Sequence, residues 1–485
     1  MSFYNERIKG ECGVIWDFLK YASHTAIIDD NGQQLSYKAL FEANQALMQN
    51  IPERSLVFCL CENKIGSLIG YTTFLNNRIV ALMLDAHLDK DLLNHFIEEY
   101  KPDYIWVPVV QSQNFVGENI FTNWDYTLIK TAYHHAYPLY EELALLLTTS
   151  GSTGSPKFVR QTYKNIQSNT ASIVEYLHLT ADERPITTLP MNYTFGLSVI
   201  NTHLAVGATI LLTDKTIMQR DFWEFMNVSN ATSFSGVPYT YEMLDKLMFF
   251  RRKLPNLRTM TQAGGKLQPE LHKKFAEWAA NEGKDFVVMY GSAEATARMG
   301  YLPPEISLQK WGCMGKAIPG GKFMLIDAEG KEITSTETIG ELVYEGDNVT
   351  LGYAFSGEDL AKGDENHGRL STGDMAKVDV DGIYTIVGRK KRFLKIFGNR
   401  VGLDETERLI KSYFMDMECA CAGHDDEMHI YITEADKCAT IKNFLAEKTK
   451  LNPVAFHVQC VNAIPKNSAG KTLYQELEKL YDKAL

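Results

Sequence analysis

The most informative run in this chain is Thr148-Thr149-Ser150-Gly151-Ser152-Thr153-Gly154-Ser155-Pro156-Lys157. It follows the apolar segment from Leu143 to Leu147, which predicts a buried strand. Glycines let backbone N–H groups turn toward one point, hydroxyl side chains add donors, and the lysine adds a positive charge. We expect this loop to cradle a polyphosphate, although it is not a Walker A motif, which needs G-x-x-x-x-G-K-[ST]. A flexible Ser/Gly turn is the alternative interpretation.

Composition and charge narrow the class of protein. The chain has 485 residues, of which 45% are hydrophobic, so a large core can be buried. A net charge of −11 and a pI of about 5.6 argue against nucleic acid or an anionic membrane as the main partner. The chain has no apolar run of membrane-spanning length and no apolar signal core near Met1, so we expect a cytoplasmic location. The scattered cysteines fit reduced thiols better than a zinc site.

Apolar runs alternate with helical patterns over much of the chain, which predicts βαβ units and a largely parallel sheet. The predicted strands in this part are 26–28, 56–61, 79–84, 104–107, 209–212, 231–235 and 286–290. Ser36 is expected to cap a helix, and another helix is expected over 271–280.

Beyond Gly312 the pattern changes to short strands with frequent glycines. The expected strands, 322–327, 340–344 and 382–387, suit an antiparallel, barrel-like cap. The charged segment from Arg389 to Arg392 is a candidate linker to a small α+β domain. In that domain we expect strands at 419–422 and 429–433 and a final helix over 472–485.

Three segments within the first 300 residues suggest a ligand site, and each has a plain structural alternative. Pro190–Leu197 places aromatic side chains around a glycine, which suits a pocket for an organic acid or an ordinary core. Gln262–Leu267 carries two glycines that permit close approach to a ligand, or a simple turn. Tyr290–Glu294 follows a strand, where Tyr290 could stack on a base and Glu294 could hold Mg²⁺.

Three later segments carry charged residues at turns. Asp374, in Ser371–Asp374, can accept hydrogen bonds from vicinal hydroxyls or form an Asx-type turn. The basic run at 388–401 suits either a solvated face or phosphate contacts at a domain boundary. Ile464–Thr472 ends in Gly-Lys-Thr, but Pro465 stands where a Walker A glycine belongs, so Lys471 fits a mobile lysine on a glycine-hinged loop.

In this order, the segments resemble the adenylate-forming superfamily of acyl- and aryl-CoA synthetases, luciferase-like enzymes and adenylation domains. The resemblance is specific from about Leu145 to Thr472. It implies an α/β fold with a large N-terminal domain over 1–390, made of stacked βαβ-type sheets plus a distorted antiparallel β-barrel. A small mobile α+β domain would cover 391–485. It also implies that a carboxylate attacks the α-phosphorus of ATP, and that a thiol then takes the acyl group from acyl-AMP.

The resemblance assigns roles to matching residues. The implied phosphate loop is Thr149, Ser150, Gly151, Ser152, Thr153, Gly154 and Lys157. The implied adenine and α-phosphate side is Gly264, Gly265, Tyr290, Gly291, Ser292 and Ala293. Asp374 would take the ribose hydroxyls with help from Arg389, and Glu294 would bind Mg²⁺ as a catalytic residue.

The second domain would contribute further lysines. Lys471 would bridge the substrate carboxylate and the α-phosphate, Lys395 would enter the site after domain rotation, and Lys391 would be the hinge. Gly398 would lie near the thiol tunnel. The acid pocket would include the residues Tyr193, Phe195 and Gly196. The co-substrates implied are ATP with Mg²⁺ and the thiol of CoA or of phosphopantetheine on an acyl carrier protein.

Departures from the family pattern bear on the substrate. Phe158 stands where glycine is usual, and Ala293 replaces a threonine, a loss for which Ser292 could compensate. Amino-acid-activating relatives commonly place Asp after Phe, but here Gly196 follows Phe195. A buried ammonium would then lack a counter-charge, so we expect a carboxylic acid without an α-amino group.

Three rival functions remain open at this point. The first is an amino-acid adenylating ligase that draws its counter-charge from elsewhere. The second is a catalytically silent nucleotide-binding regulatory protein, an interpretation that the departures at Ala293 and Phe158 favour. The third is a luciferase-like oxygenase, whose special substrate no residue reveals.

Overall fold

The computed structural model describes residues 15–148, 157–390, 392–397, 399–414, 417–466 and 472–482. These residues divide into two compact units. The first takes its described residues from Met1–Gly151, Ser155–Lys322 and Glu345–Leu370, and the second from Phe323–Tyr344 and Ser371–Leu485. The domain boundary expected at residue 390 stays a prediction. Within the described ranges, no helix is both long enough and apolar enough to cross a membrane.

Strands and helices alternate along most of the chain up to residue 354. The strands up to residue 162 are β1 (Thr25–Asp29), β2 (Gln34–Ser36), β3 (Leu56–Cys61), β4 (Val80–Asp85), β5 (Tyr104–Pro108), β6 (Glu118–Asn123), β7 (Tyr126–Lys130), β8 (Leu143–Thr148) and β9 (Phe158–Thr162). The strands that follow are β10 (Pro185–Ile186), β11 (Ile210–Leu212), β12 (Ser233–Gly236), β13 (Thr259–Gln262), β14 (Asp285–Tyr290), β15 (Gly300–Tyr301), β16 (Lys316–Ala317), β17 (Gly321–Ile326), β18 (Gly340–Gly346) and β19 (Tyr353–Ala354). The helices in this part are α1 (Tyr37–Met48), α2 (Ile65–Asn76), α3 (Lys90–Tyr100), α4 (Tyr163–Tyr176), α5 (Thr194–Ala205), α6 (Arg220–Val228), α7 (Pro238–Lys246) and α8 (Pro269–Asn281).

The core of the first unit lies between and around two sheets of its described residues. Their strand orders are β19-β9-β8-β4-β3-β5-β7-β6 and β16-β15-β14-β13-β12-β10-β11-β1-β2. Strand β3 pairs in parallel with β4 and β5, and it is buried along its whole length. Such strands read as continuous apolar runs because helices cover both faces of a parallel sheet. Helix α2 is buried almost throughout and shares its core with residues of both sheets.

Parallel pairing brings two of the predicted ligand loops to one sheet edge. Strands β12, β13 and β14 run parallel, with Gln262 opposite Val288. The loops after β13 and β14 therefore leave from the same edge, the carboxyl ends of the strands, where open α/β sheets bind ligands. Strands β8 and β9 pair antiparallel, with Thr148 opposite Phe158, so both ends of the hydroxyl-rich run are fixed in one sheet.

The second unit combines antiparallel strands with a small α+β part. Its remaining strands are β20 (Arg369–Val378), β21 (Tyr384–Arg389), β22 (Phe393–Ile396), β23 (Asn399–Gly402), β24 (Cys419–His424), β25 (Glu427–Ile432) and β26 (Phe456–Cys460). Its helices are α9 (Leu403–Tyr413), α10 (Cys438–Thr449) and α11 (Tyr474–Asp482). The strand orders are β17-β18-β20-β21, β22-β23 and β24-β25-β26.

The α/β architecture expected from the sequence is confirmed, and some details differ. Among the described residues, β17, β18, β20 and β21 form an open sheet and not a closed barrel, while β19 pairs with β9 in another sheet. The last helix begins at Tyr474 rather than Thr472, because Thr472 forms a β-bridge with Lys466. Ser36 caps α1 through a hydrogen bond from the Ala39 N–H, as expected. The described residues contain no group of His, Cys, Asp and Glu arranged as a metal site, and their cysteines are free thiols.

Candidate active site

The carboxylate of Glu294 and the ammonium of Lys157 meet through one tyrosine of the first unit. The Tyr353 hydroxyl donates to Glu294 Oε1 at 2.7 Å, and Lys157 Nζ lies 3.6 Å from the centroid of the Tyr353 ring. Burial and the neighbouring charge of Glu294 raise the pKa of Tyr353, so the phenol stays a neutral donor. Glu294 Oε2 and Lys157 Nζ have no ion-pair or hydrogen-bond partner in the described part of the chain. The cluster thus presents one cation and one hard oxygen ligand.

The backbone of Glu294 is fixed just as firmly. The N–H and the hydroxyl of Thr350 each donate to the Glu294 carbonyl oxygen at 3.0 Å. Both neighbours of Glu294 belong to a short 3₁₀ turn, Ala293–Ala295, that follows β14. The side chain therefore needs little reordering to hold a cation, and carboxylate oxygen is the kind of ligand that Mg²⁺ prefers.

A strained turn follows Glu294. Thr296 adopts φ 64° and ψ −65°, and the Ala297 N–H donates to the Ala295 carbonyl at 2.7 Å, which together define a γ-turn of the rare, strained form. Asn348 holds it by donating from Nδ2 to the carbonyls of Ala295 and Arg298 at 2.9 and 3.0 Å. Strain of this kind costs on the order of 1–3 kcal/mol and persists where surrounding contacts fix it, often at functional sites.

The glycine before this turn is required by space. A Cβ built on Gly291 would lie 1.8 Å from the carbonyl oxygen of Ala297. Next to it, Ser292 Oγ is buried and has no hydrogen-bond partner in the described part of the chain. An unpaired buried hydroxyl beside Ala293 fits a ligand that accepts a hydrogen bond, as the α-phosphate of a nucleotide would.

Phe158, which stands where relatives usually carry glycine, has a structural explanation. Its side chain is fully buried, and its ring packs edge-on against Phe96 and Tyr100 at centroid distances of 5.0 and 5.2 Å. The residue belongs to a buried apolar cluster, so it takes nothing away from the charged cluster.

The loop after β13 and the predicted acid pocket are neighbours. Gly264 has φ +84°, and a Cβ there would lie 2.7 Å from the Tyr193 hydroxyl. Tyr193 precedes α5, and its ring meets that of Phe195 edge-on at 6.4 Å. Phe195 and Gly196 are buried in the first turn of the helix. Burial also raises the pKa of Tyr193, which is thus a neutral phenol between the loop after β13 and the predicted acid pocket.

Tyr290 and Gly265 lie at the same edge as Gly264. Tyr290 is the last residue of β14 and is half-buried, and its carbonyl accepts from the Met299 N–H at 2.8 Å. Because β13 and β14 are adjacent and parallel, the loops that follow them lie side by side at the carboxyl ends of the strands. The structure thus brings Gly264, Gly265, Tyr290 and Tyr193 to one side of the first unit.

Asp374 and Arg389 pair with each other in the second unit. They are opposite residues of β20 and β21, and Arg389 Nε lies 2.7 Å from Asp374 Oδ1. Asp374 is buried while the Arg389 side chain is more than half exposed. The Asp374 N–H also donates to Thr372 Oγ1 at 3.1 Å, which holds the tight turn predicted there.

The chain on both sides of the predicted hinge, Lys391, is anchored to different parts of the second unit. On one side, the Lys390 N–H donates to the Gly373 carbonyl at 2.7 Å, beside β20. On the other, Arg392 Nη2 lies 2.7 Å from Glu407 Oε1 on α9, and the guanidinium stacks 3.5 Å above the Tyr474 ring of α11.

Several predicted residues fall outside the described ranges. They are Thr149, Ser150, Gly151, Ser152, Thr153, Gly154, Lys391, Gly398 and Lys471. A hydrogen bond connects the described segments before and after Lys471, because the Leu473 N–H donates to the Pro465 carbonyl at 2.8 Å. Lys395 is exposed on β22, and its N–H donates to Asp425 Oδ1 at 2.7 Å.

Sequence reasoning missed Tyr353, Asn348 and Arg298. Tyr353 is 59 positions from Glu294, and nothing in the local pattern relates the two. Arg298 is 2% exposed and lies with its guanidinium carbon 4.3 Å from the centroid of the Phe195 ring. An arginine within an otherwise apolar and small-residue segment after Glu294 is the signal that could have revealed it.

Comparisons with known proteins identify the family and the fold. A family model described as AMP-binding enzyme matches residues 16–354. A 2-succinylbenzoate–CoA ligase of Listeria innocua is 23% identical over 493 residues, covering 94% of this chain and 96% of that protein.

Solved structures share the fold. An O-succinylbenzoate coenzyme A synthetase from Bacillus subtilis in complex with AMP has a TM-score of 0.77 and 19% identity, covering 95% of this chain and 97% of its own. The same enzyme in complex with ATP and magnesium ion has a TM-score of 0.75 at 20% identity, covering 95% and 98%.

Proposed function

This chain belongs to the AMP-binding enzyme family, and from that premise we propose that it is an acid–thiol ligase. It activates a carboxylic acid with ATP and passes the acyl group to a thiol. The observation that carries the proposal is the cluster in which Tyr353 links the carboxylate of Glu294 to the ammonium of Lys157. Both charged groups lack ionic partners in the described chain, so they are available to a metal–polyphosphate complex.

The first half-reaction joins two anions. The acid's carboxylate oxygen attacks the α-phosphorus of ATP, the bond to the β-phosphate oxygen breaks, and pyrophosphate leaves with its electron pair. Lys157 lowers the repulsion by binding the β- and γ-phosphates, and the unpaired Ser292 hydroxyl donates to the α-phosphate. Glu294 would hold Mg²⁺, which supplies charge neutralisation on the phosphates.

Lysines of the second unit supply the remaining positive charge. We assign Lys471 to the carboxylate and the α-phosphate during adenylation, and Lys395 to the site during thiol transfer. Rotation about Lys391 would exchange them, because a gating motion can remove one lysine before the thiol arrives. Asp374 would bind the ribose hydroxyls, with Arg389 holding its carboxylate.

The acid lacks an α-amino group in this proposal. Gly196 supplies no carboxylate beside Phe195, and the group that does lie over the Phe195 ring is the cation Arg298. A buried ammonium next to a buried guanidinium would face like-charge repulsion without compensation. This disfavours an amino-acid substrate.

The acceptor we propose is CoA, because curated relatives over most of the chain are CoA ligases. In the second half-reaction the thiolate attacks the acyl carbon, the C–O bond of the mixed anhydride breaks, and AMP leaves. Phosphopantetheine on an acyl carrier protein presents the same thiol arm and is the second acceptor to test. The cytoplasmic location expected from the sequence stays a prediction.

The test is acid-dependent exchange of labelled pyrophosphate into ATP across a broad panel of carboxylic acids. We expect exchange with at least one acid class and none without acid. Mass spectrometry after addition of CoA or of a holo carrier protein then identifies the acceptor. Absence of exchange with every acid, in a protein that still binds ATP, would support the silent regulatory protein instead.

A further inference from the structure

Arg298 is a buried cation that the family assignment leaves without a role. It follows the strained turn at Thr296 and is 2% exposed. Its side chain meets neutral groups: Nη1 lies 3.3 Å from Tyr176 Oη and 2.7 Å from Met289 Sδ, and Nη2 donates to Ser198 Oγ at 3.0 Å. In the described chain no carboxylate lies within ion-pair distance of it.

A guanidinium brings a fixed positive charge into the protein interior. A buried ion without a counter-ion carries a desolvation penalty, which neutral hydrogen bonds offset only in part. The Phe195 ring, whose centroid lies 4.3 Å from the guanidinium carbon, adds a cation–π attraction. A negative charge supplied from outside the described chain would complete the compensation.

One edge of the guanidinium is incompletely satisfied. Arg298 Nε is buried without a hydrogen-bond partner in the described part of the chain. Nε and Nη2 share the edge that binds a carboxylate side-on through two parallel hydrogen bonds. Nη2 has only the Ser198 hydroxyl there, and Ser198 in turn donates to the Phe195 carbonyl at 2.7 Å.

The surroundings exclude an internal anion and suit a small polar group. Tyr176 and Tyr193, both raised in pKa by burial, stay neutral phenols. Burial, with a further contribution from the Arg298 charge, lowers the pKa of His203 to about 4, so this imidazole is neutral as well. A narrow cavity is lined by Ser198, the serine that accepts from Arg298 Nη2, and it has room for about one water molecule.

We propose that Arg298 is a specificity-determining residue that binds a second anionic group of the substrate. This group is a carboxylate at the end of the acid opposite to the carboxylate that is adenylated. The inference rests on the proposed function, since it assumes that the acid enters beside Tyr193 and Phe195. The substrate class is then a short dicarboxylic acid: one carboxylate is adenylated, and the other pairs with Nε and Nη2.

The test compares matched acids by pyrophosphate exchange. Dicarboxylic acids of increasing length are each paired with the half-amide and with the monoacid of equal length. We expect kcat/KM for the preferred diacid to exceed that of its half-amide by about 10–100-fold, the value of a charged hydrogen-bonded pair. In Arg298→Met the ratio falls to about one, and in Arg298→Lys it takes a value in between, because a point charge lacks the fork.

A matched control keeps the result specific. Arg252 also stacks on an aromatic ring, that of Trp223 at 4.0 Å, and lies outside the proposed pocket, so Arg252→Met should leave the ratio unchanged. If Arg298→Met fails to fold, the wild-type acid series decides alone. Equal or better use of monoacids by the wild type overturns this inference while the ligase activity stands. No exchange with either series, when another acid of the broad panel does support exchange, also overturns this inference alone, whereas no exchange with any acid of the broad panel overturns the ligase itself.

Discussion

Three charged side chains of the first unit and two charged pairs of the second are compensated in opposite ways, although other charges of the first unit are paired, as Arg160 is with Glu365. In the first unit Lys157, Glu294 and Arg298 touch neutral partners, a phenol, hydroxyls and an aromatic ring, and have no ion pair in the described chain. In the second unit Asp374 pairs with Arg389, and Lys466 pairs with Glu418.

This difference separates two kinds of role. A charge that the fold leaves without a counter-ion is costly unless a ligand supplies one. Lys157, Glu294 and Arg298 of the first unit are therefore suited to bind charged groups of ligands. A charge already paired contributes to local structure and is freed only by exchange of partners. The unpaired groups are therefore the places where substitution should reach activity first.

The largest effect is expected for Lys471→Ala, which tests whether the second unit delivers an unpaired charge of its own. Loss of one such electrostatic group costs about 10²–10³-fold in rate, and adenylation should fall by at least that much. Thioester formation from synthetic acyl-AMP should continue. Pyrophosphate exchange and thiolysis assays measure the two steps separately.

A paired lysine of the same region serves as the control. Lys466 Nζ lies 2.6 Å from Glu418 Oε1, so Lys466→Ala should change adenylation by only a small factor. Equal loss of adenylation and thiolysis in Lys471→Ala would contradict the assignment of Lys471 to the adenylation step alone.

The next effect concerns the cluster of the first unit. Glu294→Gln removes the carboxylate charge and should reduce adenylation by about 10²-fold, with the loss partly recovered at high Mg²⁺. Tyr353→Phe deletes one hydrogen bond to that carboxylate and should cost roughly tenfold or less. Steady-state exchange at varied Mg²⁺ measures both. A Tyr353→Phe loss larger than that of Glu294→Gln would contradict the assignment of Glu294 as the cation ligand.

The smallest effect concerns stability and pH in the first unit. His272 is buried, accepts from the Gly312 N–H at Nδ1 and contacts Ser307 Oγ through Nε2 at 2.9 Å, so both ring nitrogens are satisfied in the neutral form. Burial lowers its pKa from 6.5 to about 4. The unfolded chain binds the proton more tightly, so stability is fully present above pH 6.5 and is lost as the pH falls toward 4.

The lost stability amounts to about 3 kcal/mol for such a shift. Denaturant unfolding between pH 7 and pH 4 measures this loss. In His272→Gln the free energy of unfolding should fall less between these two pH values, by the same amount. An unchanged pH dependence in the variant would mean that other groups cause the acid sensitivity.

Much of the architecture was readable from the sequence, for a physical reason. Strands such as 56–61 are continuous apolar runs because both of their faces are buried, and Ser36 caps its helix through a purely local bond. Local patterns of this kind predict local structure. The distorted antiparallel β-barrel differed in detail, because its described strands form an open sheet and closure depends on pairing between distant strands.

The site was readable only where chemistry sits in contiguous motifs. Glu294 and Lys157 stand in recognisable runs, but the contacts of Tyr353 and Arg298 are set by the γ-turn at Thr296 and by strand pairing far along the chain. No local pattern encodes an unpaired charge, because being unpaired is a property of the folded neighbourhood.

The central claim is that the acid's carboxylate oxygen attacks the α-phosphorus of ATP, and one labelling measurement tests it most directly. The preferred acid, labelled with ¹⁸O in the activated carboxylate, is converted to its thioester in unlabelled water, and the products are weighed by mass spectrometry. We predict one ¹⁸O atom in AMP and none in pyrophosphate, because the bridging oxygen of the mixed anhydride leaves with AMP. Label in inorganic phosphate, or AMP without label, would contradict the claim.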